Sequence, residues 1–139
     1  MKKFIIYFFL VSIIASCKKD KVCNLDVGGF SGSYKISSVR YKATPASAEV
    51  DYFTTLFSDP CERDNLYTFN ANGTYSFTDA GIVCVPPDTD SGPWTLAGNT
   101  LTVDGDPANV DQFSCSAFTI SQAGVLVLGD KVTFVFTRQ

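Results

Sequence analysis

Histidine is absent from this 139-residue chain. Its absence removes the commonest general base and every Ser-His or Cys-His nucleophile pair. No two of the five cysteines stand in a C-x-x-C spacing, so thiolate metal binding has no ordinary ligand set and no metal is expected. Positive charge is also scarce: 11 Lys and Arg face 14 Asp and Glu, a net −3. Nucleic-acid recognition needs a basic face, so that partner class is excluded. The apolar run near the N-terminus, Phe4 to Ile14, covers 11 residues interrupted only by Ser12. As a helix it would be about 16 Å long, against roughly 30 Å of bilayer hydrocarbon, too short to span.

What is there begins with that run. Lys2 and Lys3 precede it, and Ala15-Ser16 supply the small residues of a cleavage site, the pattern of an export signal. Ile14-Ala15-Ser16-Cys17 resembles the bacterial lipobox, in which cleavage leaves the cysteine as the lipid-modified first residue. The expected organisation is a lipoprotein signal peptide over residues 1–16, a lipidated tether over 17–29 and a single domain over 30–139. Loss of Lys2 and Lys3 leaves nine basic residues against 14 acidic ones, net −5. Lys18, Lys19 and Lys21 then sit beside Cys17 as a solvated tether. Each buried CH₂ of attached lipid contributes about 0.8 kcal/mol, so several acyl chains would hold the protein at a membrane.

Four further cysteines, Cys23, Cys61, Cys84 and Cys115, read as two disulfides in an oxidising compartment. The register of one hairpin selects among the pairings. Leu66–Asn70 and Thr74–Thr78 are β-rich and joined by Ala71-Asn72-Gly73, which pairs Phe69 with Tyr75 and Tyr67 with Phe77. Continued past the strand ends, that register brings Cys61 within about one residue of a position opposite Cys84, an offset a loop can absorb, and elimination leaves Cys23 with Cys115. Other period-two runs follow at Phe30–Lys42, Gly92–Leu96, Leu101–Val103, Phe113–Ile120, Val125–Leu128 and Lys131–Thr137. Asp104-Gly105-Asp106-Pro107 reads as the end of a strand. The result is all-β, eight antiparallel strands in an up-and-down barrel, because closure removes exposed edges. One segment departs from this. Val50, Phe53 and Phe57 have helical spacing behind Thr44-Pro45, which predicts a short helix over residues 45–57 at one end of the barrel. The loop from Asp79 to Ser91, with Pro86-Pro87, reads as rigid.

The carboxylates cluster at turns, where Asx side chains bond their own backbone, and that role outweighs a catalytic acid/base pair. Asp88-Thr89-Asp90-Ser91-Gly92 resembles part of a calcium loop but lacks the later bidentate glutamate. Asn72-Gly73-Thr74 matches a glycosylation sequon that its turn role already explains.

Gly32-x-Tyr34, the block from Asp59-Pro60-Cys61 to Gly73-Thr74-Tyr75, and Ser91-Gly92-x-Trp94-Thr95-Leu96-x-Gly98-Asn99-x-Leu101 resemble the lipocalin-like domain of Bacteroidota lipoproteins. The resemblance runs from about Phe30 to the C-terminus. It implies an eight-stranded lipocalin-like barrel on a lipidated envelope protein, and it carries no catalytic residue across. Tyr34 stands where lipocalins proper have a Gly-x-Trp tryptophan.

Inside such a barrel, Tyr34, Phe69, Tyr75, Trp94, Phe118, Phe134 and Phe136 are the expected ligand-facing residues. Ile36, Phe77, Leu96, Leu101, Val103, Ile120, Leu126, Leu128 and Val132 are expected inward as well. Eight strands enclose a space that side chains just fill or that holds one small ligand. The bulk of these residues favours a filled core. Two functions stay open: capture of a small apolar or amphipathic ligand, or a structural or protein-interaction role around a solid barrel. Neither needs a cofactor or enzymatic activity. The expected setting is a monomer lipid-anchored through Cys17 to the outer membrane.

Overall fold

The computed structural model describes residues 23–139. The export signal, Cys17 and Lys18, Lys19 and Lys21 of the expected tether lie outside them. A single-turn helix α1 (Val27–Phe30) leads into strands β1 (Gly32–Lys42), β2 (Val50–Asp51), β3 (Leu66–Phe69), β4 (Thr74–Thr78) and β5 (Thr89–Ala97). After these come β6 (Thr100–Val103), β7 (Asp106–Phe113), β8 (Ala117–Ala123) and β9 (Lys131–Arg138). A second single-turn helix, α2 (Phe53–Leu56), and a 3₁₀ turn (Pro60–Glu62) lie between β2 and β3. All pairings are antiparallel, in the order β2-β1-β3-β4-β5-β6-β7-β8-β9, and β1 also pairs with β9. The eight strands other than β2 therefore form a closed barrel, the expected architecture.

Its strands are not all the expected ones. Val125–Leu128 is no strand: β8 pairs directly with β9 down to Ala123 opposite Lys131, so the segment forms the hairpin loop. Gly124 and Gly129, at φ 68° and 90°, turn the chain at its two ends. Leu126 and Leu128 consequently point to solvent, Leu128 being fully exposed. The missing eighth strand is β7. Asp104-Gly105, at φ 52° and 92°, is a two-residue turn between β6 and β7, with Val103 opposite Asp106. Asp-Gly is a strong hairpin dipeptide. Pro107 follows only one residue into the strand, opposite Thr102, where a missing N–H is tolerated.

The helix expected over 45–57 is also replaced. β3 covers only Gly32–Tyr34 of the long β1, and the free upper edge of β1 takes up Val50–Asp51, paired with Tyr41 and Arg40. Backbone groups satisfied by that edge leave only Phe53–Leu56 to turn helically.

The register gives the barrel two different ends. Gly32, Phe69, the Ala71–Gly73 turn, Gly98-Asn99 and the loop around Cys115 share one end, the floor. The loops 43–65, 79–88, 104–105 and 124–130 share the other, the mouth. At the floor Asp26 caps α1, its carboxylate accepting from Gly29 N–H at 2.7 Å. Phe30, at the end of α1, is wholly buried, with ring centroids 4.7–5.9 Å from those of Tyr34, Phe69, Trp94, Phe113 and Phe118. Cys23–Cys115 ties the chain before α1 to the floor loop, and Cys61–Cys84 closes the base of the mouth loop. Both expected pairings are present, and the stretch 23–29 is folded onto the floor.

Arg138 completes the floor. Its guanidinium lies 4.9 Å from the Tyr34 ring centroid and donates to the Tyr34 hydroxyl (2.6 Å), to Ser31 C=O (2.8 Å) and to Gly29 C=O. Tyr34 in turn donates to Phe30 C=O at 2.7 Å. Gly32, at φ 152°, leaves the room: a Cβ there would stand 2.6 Å from Arg138 Nη1. Replacing Arg138 by Met should cost about 2 kcal/mol in urea unfolding, the scale of charge-assisted hydrogen bonds. A loss below about 0.5 kcal/mol, the scale of an ordinary surface change, would show that the floor does not depend on it.

Candidate functional site

Above the aromatic floor the barrel is hollow. Phe69, Phe118 and Phe136 form the bottom of a cavity of about 530 Å³, with Phe118 and Phe136 stacked at 4.4 Å. Tyr67, Tyr75, Phe77, Leu101, Val103 and Ile120 make its walls, and Asp88, Thr89 and Asp90 its upper edge. A recess of about 370 Å³ adjoins it, sharing Tyr75, Asp90, Leu101, Val103 and Ile120 and adding Asp104, Asp106, Ala108 and Gln122. Cavities of roughly 300–1,000 Å³ hold small organic ligands. The filled core expected from residue bulk is thus realised only in the lower half. Phe30, supplied by α1, packs the floor and leaves the upper half of the barrel unfilled.

Of the aromatic residues expected to face a ligand, Phe69, Tyr75, Phe118 and Phe136 line the cavity. Tyr34 and Trp94 point inward but belong to the packed floor, Trp94 donating from Nε1 to Asn70 C=O at 2.8 Å. Phe134 packs against the core without lining the cavity. Tyr67, Asp88, Asp90, Asp104 and Asp106 were not expected there. The signal was in the alternation of β5: Asp90 stands opposite Phe77, Gly92 opposite Tyr75 and Trp94 opposite Val103, so even-numbered residues from Asp88 onward face inward. The first two are acids, and turn chemistry does not account for them.

The polar chemistry centres on Tyr75. Its hydroxyl donates to the Asp90 carboxylate, and the Asp104 carboxylate lies beside it. Asp104 reaches this place because Gly92 has no side chain; a Cβ there would overlap the carboxylate. Burial, reinforced by Asp90 and Asp104, raises the Tyr75 phenol far above its ordinary 10. Tyr67 is pushed up to about 12, by burial first and by the Asp88 charge second. Both phenols are neutral donors at neutral pH.

The mouth rim is held rigidly yet is apolar. Asp130 is buried, which alone would raise its pKa; hydrogen bonds from the N–H groups of Val127, Leu126, Val125 and Gly124 outweigh this and hold it below the ordinary value. Three of these, each 2.9 Å, present Val125–Leu128 outward. Across the mouth, Asp64 and Asp79 accept from Ile82 N–H (2.8 Å) and Cys84 N–H (2.7 Å), fixing a loop whose Ile82, Val83 and Val85 are exposed.

A family model described as a lipocalin-like domain matches residues 30–122, from Phe30 through nearly all of β8. The chain belongs to the lipocalin-like domain family. No curated protein matches this sequence. Within this lipocalin-like barrel the closed floor, the open mouth and the cavity between them form one continuous site.

The raised phenols predict an alkaline transition. A folded-state pKa above the unfolded value contributes stability that is complete below pH 10 and lost as pH rises through about 12. Urea midpoints measured across that window should fall, and Tyr67→Phe should flatten the slope. Ionisation of Tyr67 near pH 10, read by tyrosinate absorbance in single Tyr→Phe variants, would contradict the burial described.

Proposed function

We propose that this chain is a non-enzymatic, lipid-anchored lipoprotein of the cell envelope whose lipocalin-like barrel binds a small apolar or amphipathic ligand. The observation that carries the binding reading is the 530 Å³ cavity, walled by aromatic and aliphatic residues and reached from the mouth. Filling it with a neutral aromatic probe tests this directly. N-phenyl-naphthylamine should gain fluorescence with the purified full chain. Val103→Trp, which places an indole in the cavity, should weaken that binding at least about tenfold, about 1.4 kcal/mol, with the urea midpoint kept. Unchanged binding in Val103→Trp would place the probe elsewhere. Mass spectrometry of protein extracted gently from its own membrane should show a retained ligand.

The anchoring reading rests on Ile14-Ala15-Ser16-Cys17 and on the place of Cys23. Cys23 is bonded at the floor. Six residue steps from Cys17 reach at most about 20 Å. An acylated Cys17 would therefore hold the floor near the bilayer and turn the mouth away from it. Labelled palmitate should be incorporated by the full chain and lost in Cys17→Ala; incorporation in that variant would refute the anchor.

A second reading, docking to another protein, draws on the apolar rim formed by Val125–Leu128 and by Ile82, Val83 and Val85. The rim and the cavity share the mouth, so the two readings are compatible.

A further inference from the structure

We infer that the ligand of this barrel carries a cationic group, an ammonium on an apolar body, with Asp90 and Asp104 as its counter-ions. The inference rests on the binding reading above and adds the charge of what is bound. The cavity supplies the first observation: its lower part, from Phe69 and Phe136 up to Leu101 and Ile120, offers only apolar contact and suits an alkyl or aromatic body. Its upper part is different. Asp88 and Asp90 line the cavity, and Asp104 and Asp106 line the adjoining recess, while neither is lined by any Lys or Arg.

Proton arithmetic at Tyr75 makes the imbalance concrete. A phenol has one proton to donate. Tyr75 gives it to Asp90, although the carboxylate of Asp104 lies beside the same hydroxyl. Two negative groups thus converge on one phenol next to an apolar cavity, Asp90 accepting besides only from Ser91 N–H at 2.8 Å. Both carboxylates stand exposed at the mouth, and no Lys or Arg lines either cavity beside them. Asp104 belongs to an exposed turn, yet its carboxylate leans over the inner wall. Gly92 vacates the inner wall so that Asp104 can fold inward over it. Among the described residues no group of three or more acids is gathered closely enough to hold a metal ion. The paired carboxylates above an apolar pocket instead match an organic cation, whose head they neutralise while its body fills the space below.

Three probes of equal chain length separate the possibilities. The purified full chain would be titrated calorimetrically, at neutral pH, with octylamine, octanol and octanoate. The expected order is amine, alcohol, carboxylate, with the amine at least about tenfold tighter than the alcohol at roughly 20 mM salt. That advantage should shrink as salt is raised to about 500 mM, because the charges sit near the mouth. In the double variant Asp90→Asn/Asp104→Asn the amine should lose its advantage while octanol still binds. Asn can still accept from Tyr75 and tolerates the positive φ of position 104, so the fold is kept. Octanol binding as tightly as octylamine would overturn the inference and leave the binding reading standing. Failure of all three to bind would overturn both. A calorimetric signal from calcium chloride alone that displaces octylamine would replace the organic cation with a metal.

Discussion

The rest of the molecule depends on how the floor of the barrel is closed. Phe30 enters the barrel from α1, not from a strand, and Arg138 at the far end of the chain locks it there through Gly29, Ser31 and Tyr34. An eight-stranded barrel is just wide enough for its own side chains to fill. By filling the lower half with a residue from outside the sheet, the chain closes one end with aromatic contacts, while Tyr67, Phe77, Val103 and Ile120 above pack around an open space. The Cys23–Cys115 bridge reinforces this closure. It closes a loop of 92 residues, for which the chain-entropy estimate is about 4–5 kcal/mol. The cavity exists because the floor is made this way.

Polarity then grades along the barrel axis. β5 shows it in one strand: inward from the mouth come Asp88, Asp90, Gly92 and Trp94. Trp94 packs against Phe30 and Phe69, while the acids meet Tyr67 and Tyr75. Aromatic rings with a polar edge suit this middle ground, since the ring contacts apolar neighbours and the hydroxyl reaches a partner. The mouth loops are pinned by carboxylates that accept backbone N–H groups, Asp130 on one side and Asp64 and Asp79 on the other. Their apolar residues are held outward by hydrogen bonding and are not loosely exposed.

Much of the fold was legible in local patterns. The Ala71–Gly73 hairpin, its register and the Cys61–Cys84 bridge follow from turn residues and period two, because a hairpin register extends past its strand ends. The departures from those patterns have local causes too. Val125–Leu128 has strand composition but no partner, and its N–H groups go to Asp130. β7 was hidden by its polar residues and Pro107, although Asp104-Gly105 announced it. Nothing local distinguishes an Asx beside a turn that caps its own backbone from one that leans into a barrel.

By itself, then, the sequence determined an all-β barrel, two disulfides and an interior rich in aromatic residues, since alternation and turn chemistry act over a few residues. Only the tertiary structure decided that the barrel is half filled and half hollow. That outcome depends on Phe30 and Arg138, more than a hundred residues apart, meeting at one end. It also decided that Asp90 and Asp104 converge on Tyr75, because three strands and a missing side chain at Gly92 must be in register before two carboxylates share one phenol.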